Sequence, residues 1–82
     1  MIPRISSVEV KDDYKLYVVF DHGERVIYDV SEDIRDIPDF SVLEHQPGLF
    51  QNLQVDESRT CIYWNDQVDL PSDTILEYGE KQ

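Results

Sequence analysis

Phe20-Asp21-His22-Gly23-Glu24 separates two runs of alternating residues, and its reading decides the fold. On its N-terminal side, Tyr14-Lys15-Leu16-Tyr17-Val18-Val19-Phe20 places Leu16, Val18 and Phe20 on one face of a strand, because successive side chains point to opposite sides. On its C-terminal side, Glu24-Arg25-Val26-Ile27-Tyr28-Asp29-Val30 repeats the period with Val26, Tyr28 and Val30, residue types that suit a pleated surface. The two runs are expected to pair antiparallel with these side chains toward a core. A two-residue loop at His22-Gly23 is expected to join them. A primed hairpin turn needs positive φ at its central residues, which Gly adopts freely and His accepts better than a β-branched residue.

Working outward, Arg4-Ile5-Ser6-Ser7-Val8-Glu9-Val10 reads as an opening strand in which Val8 and Val10 share a face and Ile5 is out of step. An irregularity near Ser6-Ser7 would reconcile them. Lys11-Asp12-Asp13 is a polar turn, so residues 4–30 form a three-stranded meander. Beyond Val30 the pattern turns helical. Ser31 is read as the cap of a short helix that Pro38 ends, and Ser41-Val42-Leu43-Glu44 has capping-box spacing. Phe40, Leu43, Leu49 and Phe50 supply a helical lid for one sheet face. Leu53-Gln54-Val55-Asp56 and Arg59-Thr60-Cys61-Ile62-Tyr63-Trp64, joined at Glu57-Ser58, read as a second hairpin and bring the strand count to five. Asn65-Asp66-Gln67 is a polar break, Ser72 is read as the cap of a last helix ended by Gly79, and the tail from Glu80 is expected to fray. The expected class is α+β: an antiparallel sheet, made of a three-stranded meander plus a second hairpin, with two or three short helices.

A chain of 82 residues supports one domain, 1–82, and buries roughly 60–65% of the surface its unfolded form exposes. The net charge is −11, and it is unevenly spread. Residues 1–30 carry six acids against four bases, whereas residues 31–82 carry twelve acids and only Arg35, Arg59 and Lys81. Phosphate contacts need clustered Lys and Arg, so direct nucleic-acid binding and adhesion to an anionic membrane are both disfavoured. A small basic protein is the better-matched partner. One cysteine, Cys61, precludes an internal disulfide and cannot alone make a thiolate metal site. Met1-Ile2-Pro3-Arg4-Ile5-Ser6-Ser7 lacks the apolar run of a signal peptide, and no stretch approaches a membrane span, so a cytoplasmic protein is expected.

Chemistry-bearing residues are few. His22 is accounted for by its turn and His45 by a helix end, where an imidazolium favours the last carbonyls. Cys61 reads as a small buried hydrophobe, with Arg59 the only basic neighbour that would activate a thiol. Asp33, Asp36 and Asp39 recur every third residue, but they lack the alternate-residue pattern and distant Glu of a calcium loop. No catalytic, cofactor-binding or metal-binding residues are assigned, and no enzyme activity is expected.

Several features occur in a recognisable order: Pro3-Arg4-Ile5, Tyr14 before an apolar strand, Phe20-Asp21-x-Gly23-Glu24, Tyr28-Asp29, Pro47-x-Leu49-Phe50, and Trp64 followed by Asp69-Leu70 and a closing helix. Together they resemble the bacterial family known as domain of unknown function 2442, over nearly the whole chain. The resemblance implies a small α+β fold with an antiparallel sheet and no assigned reaction. Some members of that family look like the front half of a longer protein with a helix-turn-helix domain, and others resemble stand-alone chains paired with a second small protein, as in toxin and antitoxin modules. The chain departs from the family pattern after Trp64, where Asn65-Asp66-Gln67 replaces a proline-containing turn.

The alternation that buries Leu16 and Val18 turns Tyr17, Val19 and Ile27 to the other face, where Tyr63 or Trp64 extend them according to register. Exposed apolar patches mark association surfaces, and Tyr and Trp are common anchors there. The leading expectation is a small acidic protein-interaction module, an antitoxin-like partner in a two-protein system. Tyr17, Val19, Ile27, Tyr63 and Trp64 are its anchors, and Asp33, Asp36 and Asp39 steer a basic partner. The alternative is a small ligand-binding or regulatory domain with a pocket between helices and sheet, near His45 or Trp64. Monomer and homodimer both fit.

Overall fold

The computed structural model describes residues 2–82. Strands β1 (Ile5–Lys11), β2 (Lys15–Phe20) and β3 (Arg25–Asp29) form the antiparallel meander, and Leu16, Val18, Phe20, Val26, Tyr28 and Val30 are all buried. The pairing of β1 with β2 shifts register between Ile5 and Ser7. That bulge turns Ile5 into the core although it is out of step with Val8 and Val10.

The β2–β3 turn differs from the expected two-residue form. Gly23 N–H donates to Phe20 O at 2.9 Å and Phe20 N–H to Glu24 O at 2.9 Å, closing a three-residue loop at Asp21-His22-Gly23. Only Gly23 enters the left-handed region, at φ +96°, so His22 needs no special conformation. A type I turn followed by a left-handed glycine matches strand twist as well as a primed turn does, and Gly-x order alone does not separate the two. The β1–β2 turn has no glycine, and Asp13 and Tyr14 both sit at φ +61°.

The middle of the chain is a string of short turns: α1 (Ser31–Asp36), a 3-10 turn Pro38–Ser41, α2 (Val42–His45) and a 3-10 turn Phe50–Asn52. Phe40, Leu43 and Phe50 are buried and Leu49 packs against them, forming the expected lid. The expected caps are not made by the expected residues. Ser31 is already inside α1, and it is the Asp29 carboxylate that accepts from Ser31 N–H at 3.0 Å and from Ser31 Oγ at 2.5 Å. Ser41 has helical backbone angles, and its hydroxyl turns back to Pro38 O at 2.8 Å.

The second hairpin gains a third strand. β4 (Gln54–Val55), β5 (Cys61–Asn65) and β6 (Val68–Pro71) form a separate antiparallel sheet in the order β4-β5-β6, with Ile62, Trp64, Val68 and Leu70 buried in the same core as the first sheet. Helix α3 (Ser72–Tyr78) follows, and the tail does not fray. Glu80–Lys81 forms β7 on β3, pairing with Ile27 and Val26, and the first sheet reads β1-β2-β3-β7. Ser72 does not cap α3. It is fully buried, and its hydroxyl donates to Pro3 O at 2.6 Å. Gly79 ends α3 with φ −75°, so its role is space: a Cβ there would lie 2.0 Å from Val26 Cγ1. The fold is α+β, with antiparallel sheets of four and three strands and three short helices.

Candidate functional site

Five of the chain's eighteen acids line one groove beside β3, α1 and α3. β7 covers β3 only at Val26 and Ile27, which leaves the Tyr28-Asp29 end of that strand open beside α1 and α3. A groove of about 490 Å³ lies there, lined by Ile27, Asp29, Glu32, Asp33, Asp36 and Glu80, with Lys15 as the only Lys or Arg on its walls and Tyr78 at its rim. Tyr78 is 73% exposed, the most exposed large hydrophobic residue of the described chain.

Two of these groups are coupled. Tyr28 Oη, on β3, donates to Asp33 Oδ2, on α1, at 2.7 Å. Burial pushes the Asp33 carboxyl above the usual carboxylate range, outweighing the Tyr28 hydrogen bond, which favours the ion. Asp36 and Asp29 add to the rise by repulsion. The Tyr28 hydroxyl is pushed up as well, first by burial and then by the Asp33 hydrogen bond. The groove thus places a partly buried carboxylate among acidic neighbours.

Ile27, Asp33 and Asp36 are therefore brought together. Tyr17 and Val19 adjoin them on the outer face of the first sheet: Tyr17 pairs with Ile27, and Val19 with Arg25. This face is half-buried, partly because Lys11 Nζ lies 5.8 Å over the Tyr17 ring while pairing with Glu9 at 3.2 Å. Asp39 is exposed in the 3-10 turn and does not line the groove. Tyr63 is 38% exposed, but on the second sheet. Trp64 corrects its expected role as an anchor, being only 7% exposed. Its ring stacks on Phe50 at 5.9 Å, and its Nε1–H donates to Phe50 O at 3.0 Å, so the core uses the whole side chain. The groove residues that sequence reasoning missed are Asp29, Glu32, Tyr78 and Glu80, of which Glu80 is brought in by β7 returning to β3.

The remaining chemistry-bearing residues lie elsewhere. Burial pushes the Cys61 thiol up, and Asp69 and Asp56 repel its anion further. Arg59 does not activate it, because the Arg59 guanidinium is bound bidentate to Asp21 at 2.7 and 2.8 Å. Neither His45 nor Trp64 lines any of the four grooves described on the surface. Among the described residues no group of three or more His, Cys, Asp or Glu is placed to hold a metal ion, and no helix is long and apolar enough to cross a membrane.

No curated protein and no solved structure matches the chain. A family model described as "Protein of unknown function (DUF2442)" matches residues 5–81. Nearly the whole folded unit is covered, from the first core residue Ile5 to the closing strand β7, and the chain belongs to that family.

Proposed function

We propose that this chain is a small acidic protein-interaction module that docks a basic segment of a partner protein in the groove between β3, α1 and α3. The observation that carries this reading is the company the acids keep. Five carboxylates surround one lysine beside a largely exposed tyrosine, and one of those carboxylates is held above its ordinary pKa. A Lys or Arg side chain entering the groove would gain ion pairs with Asp33 and Asp36 and a ring face at Tyr78. Tyr17, Val19 and Ile27 would flank the bound segment on the sheet. The role is non-catalytic, in a reducing compartment such as the cytoplasm, and a toxin–antitoxin-like pairing with a small basic protein is the form it would take.

Pull-down of the tagged chain from its native host, at several salt concentrations, tests this reading. Recovery of a basic protein at low salt, reduced by Asp33→Asn with Asp36→Asn and by raised ionic strength, is the expected result. Repeated recovery of the chain alone, or of a partner indifferent to both changes, would sink it.

A further inference from the structure

A second groove, of about 540 Å³, lies at the opposite end of the β2–β3 hairpin, where the N-terminal segment passes the seam between the two sheets. Its walls are Ile2, Pro3, Arg4, Asp21, His22, Ser58 and Thr60. The segment is held at two successive carbonyls: Asp21 N–H donates to Arg4 O at 2.9 Å, and Ser72 Oγ donates to Pro3 O at 2.6 Å.

The polar groups of this groove can be separated into those already engaged and those free. Both Asp21 oxygens accept from Arg59, so the one carboxylate on the wall is neutralised. Ser58 Oγ donates to Asp56 Oδ2 at 2.9 Å and contacts Thr60 Oγ1 at 2.6 Å. With its single proton given to Asp56, Ser58 must be the acceptor in that contact, so both hydroxyl protons point inward. Arg4 and His22 are the remaining wall residues whose side chains carry N–H donors. Arg4 has no ion pair among the described residues. Beside these donors stand Pro3 and Ile2, the latter 61% exposed.

The geometry points to a binding site for a small monocarboxylate with an apolar tail. The carboxylate would accept from Arg4 and His22, and the tail would cover Ile2 and Pro3. A groove of this size falls within the ordinary range for small-molecule sites, roughly 300–1,000 Å³. A single negative charge matches one unpaired guanidinium, whereas a polyanion would meet the field of a chain carrying −11.

Amide chemical-shift titration of the 15N-labelled protein with sodium hexanoate, 1-hexanol and sodium acetate tests the assignment. Hexanoate is expected to give saturable shifts at Arg4, Asp21, His22, Ser58 and Thr60, with hexanol and acetate each binding at least several-fold more weakly. Arg4→Gln should weaken hexanoate roughly tenfold, the scale of one charge-assisted hydrogen bond, while Arg35→Gln on α1 should leave it unchanged. Unsaturable or scattered shifts, hexanol or acetate equal to hexanoate, or Arg4→Gln without effect would overturn it.

Discussion

The two ends of the β2–β3 hairpin carry carboxylates that respond to their surroundings in opposite ways. At the turn, the Arg59 guanidinium holds Asp21 below the usual carboxylate range. Beyond the other end of β3, burial among acids holds Asp33 above it. One hairpin of a chain with net charge −11 thus presents a compensated seam and an uncompensated groove. The difference teaches that net charge alone says little about where a partner binds. A partly buried, crowded carboxylate has interaction energy still to gain, whereas one already held by two guanidinium hydrogen bonds has little.

The strongest way to break this comparison is to remove the wall of the groove while leaving the seam alone. Gly79→Ala places a Cβ 2.0 Å from Val26 Cγ1 and 2.6 Å from Ile75 O, so α3 or β7 must move off β3. A loss of about 3 kcal/mol is expected, from the upper range for overpacked sites. Urea unfolding should show a lowered Cm, and amide exchange should show loss of protection at Gln82, whose N–H donates to Arg25 O. A Cm within error of the parent would mean that the end of α3 does not pack this closely on Val26 in solution.

Next in size is the seam. Ser72→Ala strands the Pro3 carbonyl in a site where Ser72 is fully buried, and should cost about 1–2 kcal/mol. Because Ser72 holds Pro3, the variant should also loosen the Ile2-Pro3-Arg4 wall without altering the groove at Asp33. Shift changes confined to α3 would contradict that separation. A smaller effect is expected from the Asp21–Arg59 pair, which is bidentate but open to water. Asp21→Asn and Arg59→Gln should each lower Cm, and the double variant should cost less than the two singles added together. Strict additivity would show the pair to be geometric only. Asp21 has a lowered folded pKa, so its stabilisation is complete above the unfolded value of 3.8 and is lost as pH falls through the folded value. Asp21→Asn should therefore narrow its deficit in acid.

How much of this was legible in the sequence follows from what kind of signal each feature leaves. The meander was, because Leu16-Val18-Phe20 and Val26-Tyr28-Val30 repeat a strict period of two over enough residues to be unmistakable. The bulge at Ser6 was legible too, from the phase slip of Ile5. The caps were not: Ser31 and Ser72 directly precede acids and Ser41 stands three residues before Glu44, yet their hydroxyls serve Asp29, Pro38 and Pro3. A serine near a helix start competes for several backbone partners, and sequence does not rank them. β6 and β7 escaped because four and two residues are too few to establish a period. Trp64 could not be placed because a slip of one residue exchanges the two faces of β5. The groove is least legible of all, since it gathers Ile27, Asp33 and Glu80 from three elements, and Glu80 reaches it only through the pairing of β7 with β3.

The smallest expected effect is the most direct test of why the groove is uncompensated. Asp33 has a raised folded pKa, so between the unfolded value of 3.8 and the folded one the native state binds more protons than the unfolded chain. Its contribution therefore runs opposite to that of Asp21: stability from this group falls as pH rises through the window and recovers as pH drops below it. Asp33→Asn keeps an oxygen to accept from Tyr28 Oη, removes the charge and fills nearly the same volume. The variant should gain slightly over the parent at neutral pH, and the gain should shrink toward pH 4. Since Asp33 is partly exposed, water screens the effect to a small shift in Cm. A variant less stable at neutral pH than in acid, relative to the parent, would mean that the Tyr28 hydrogen bond outweighs burial. The groove would then hold a satisfied carboxylate with little left to offer a basic partner.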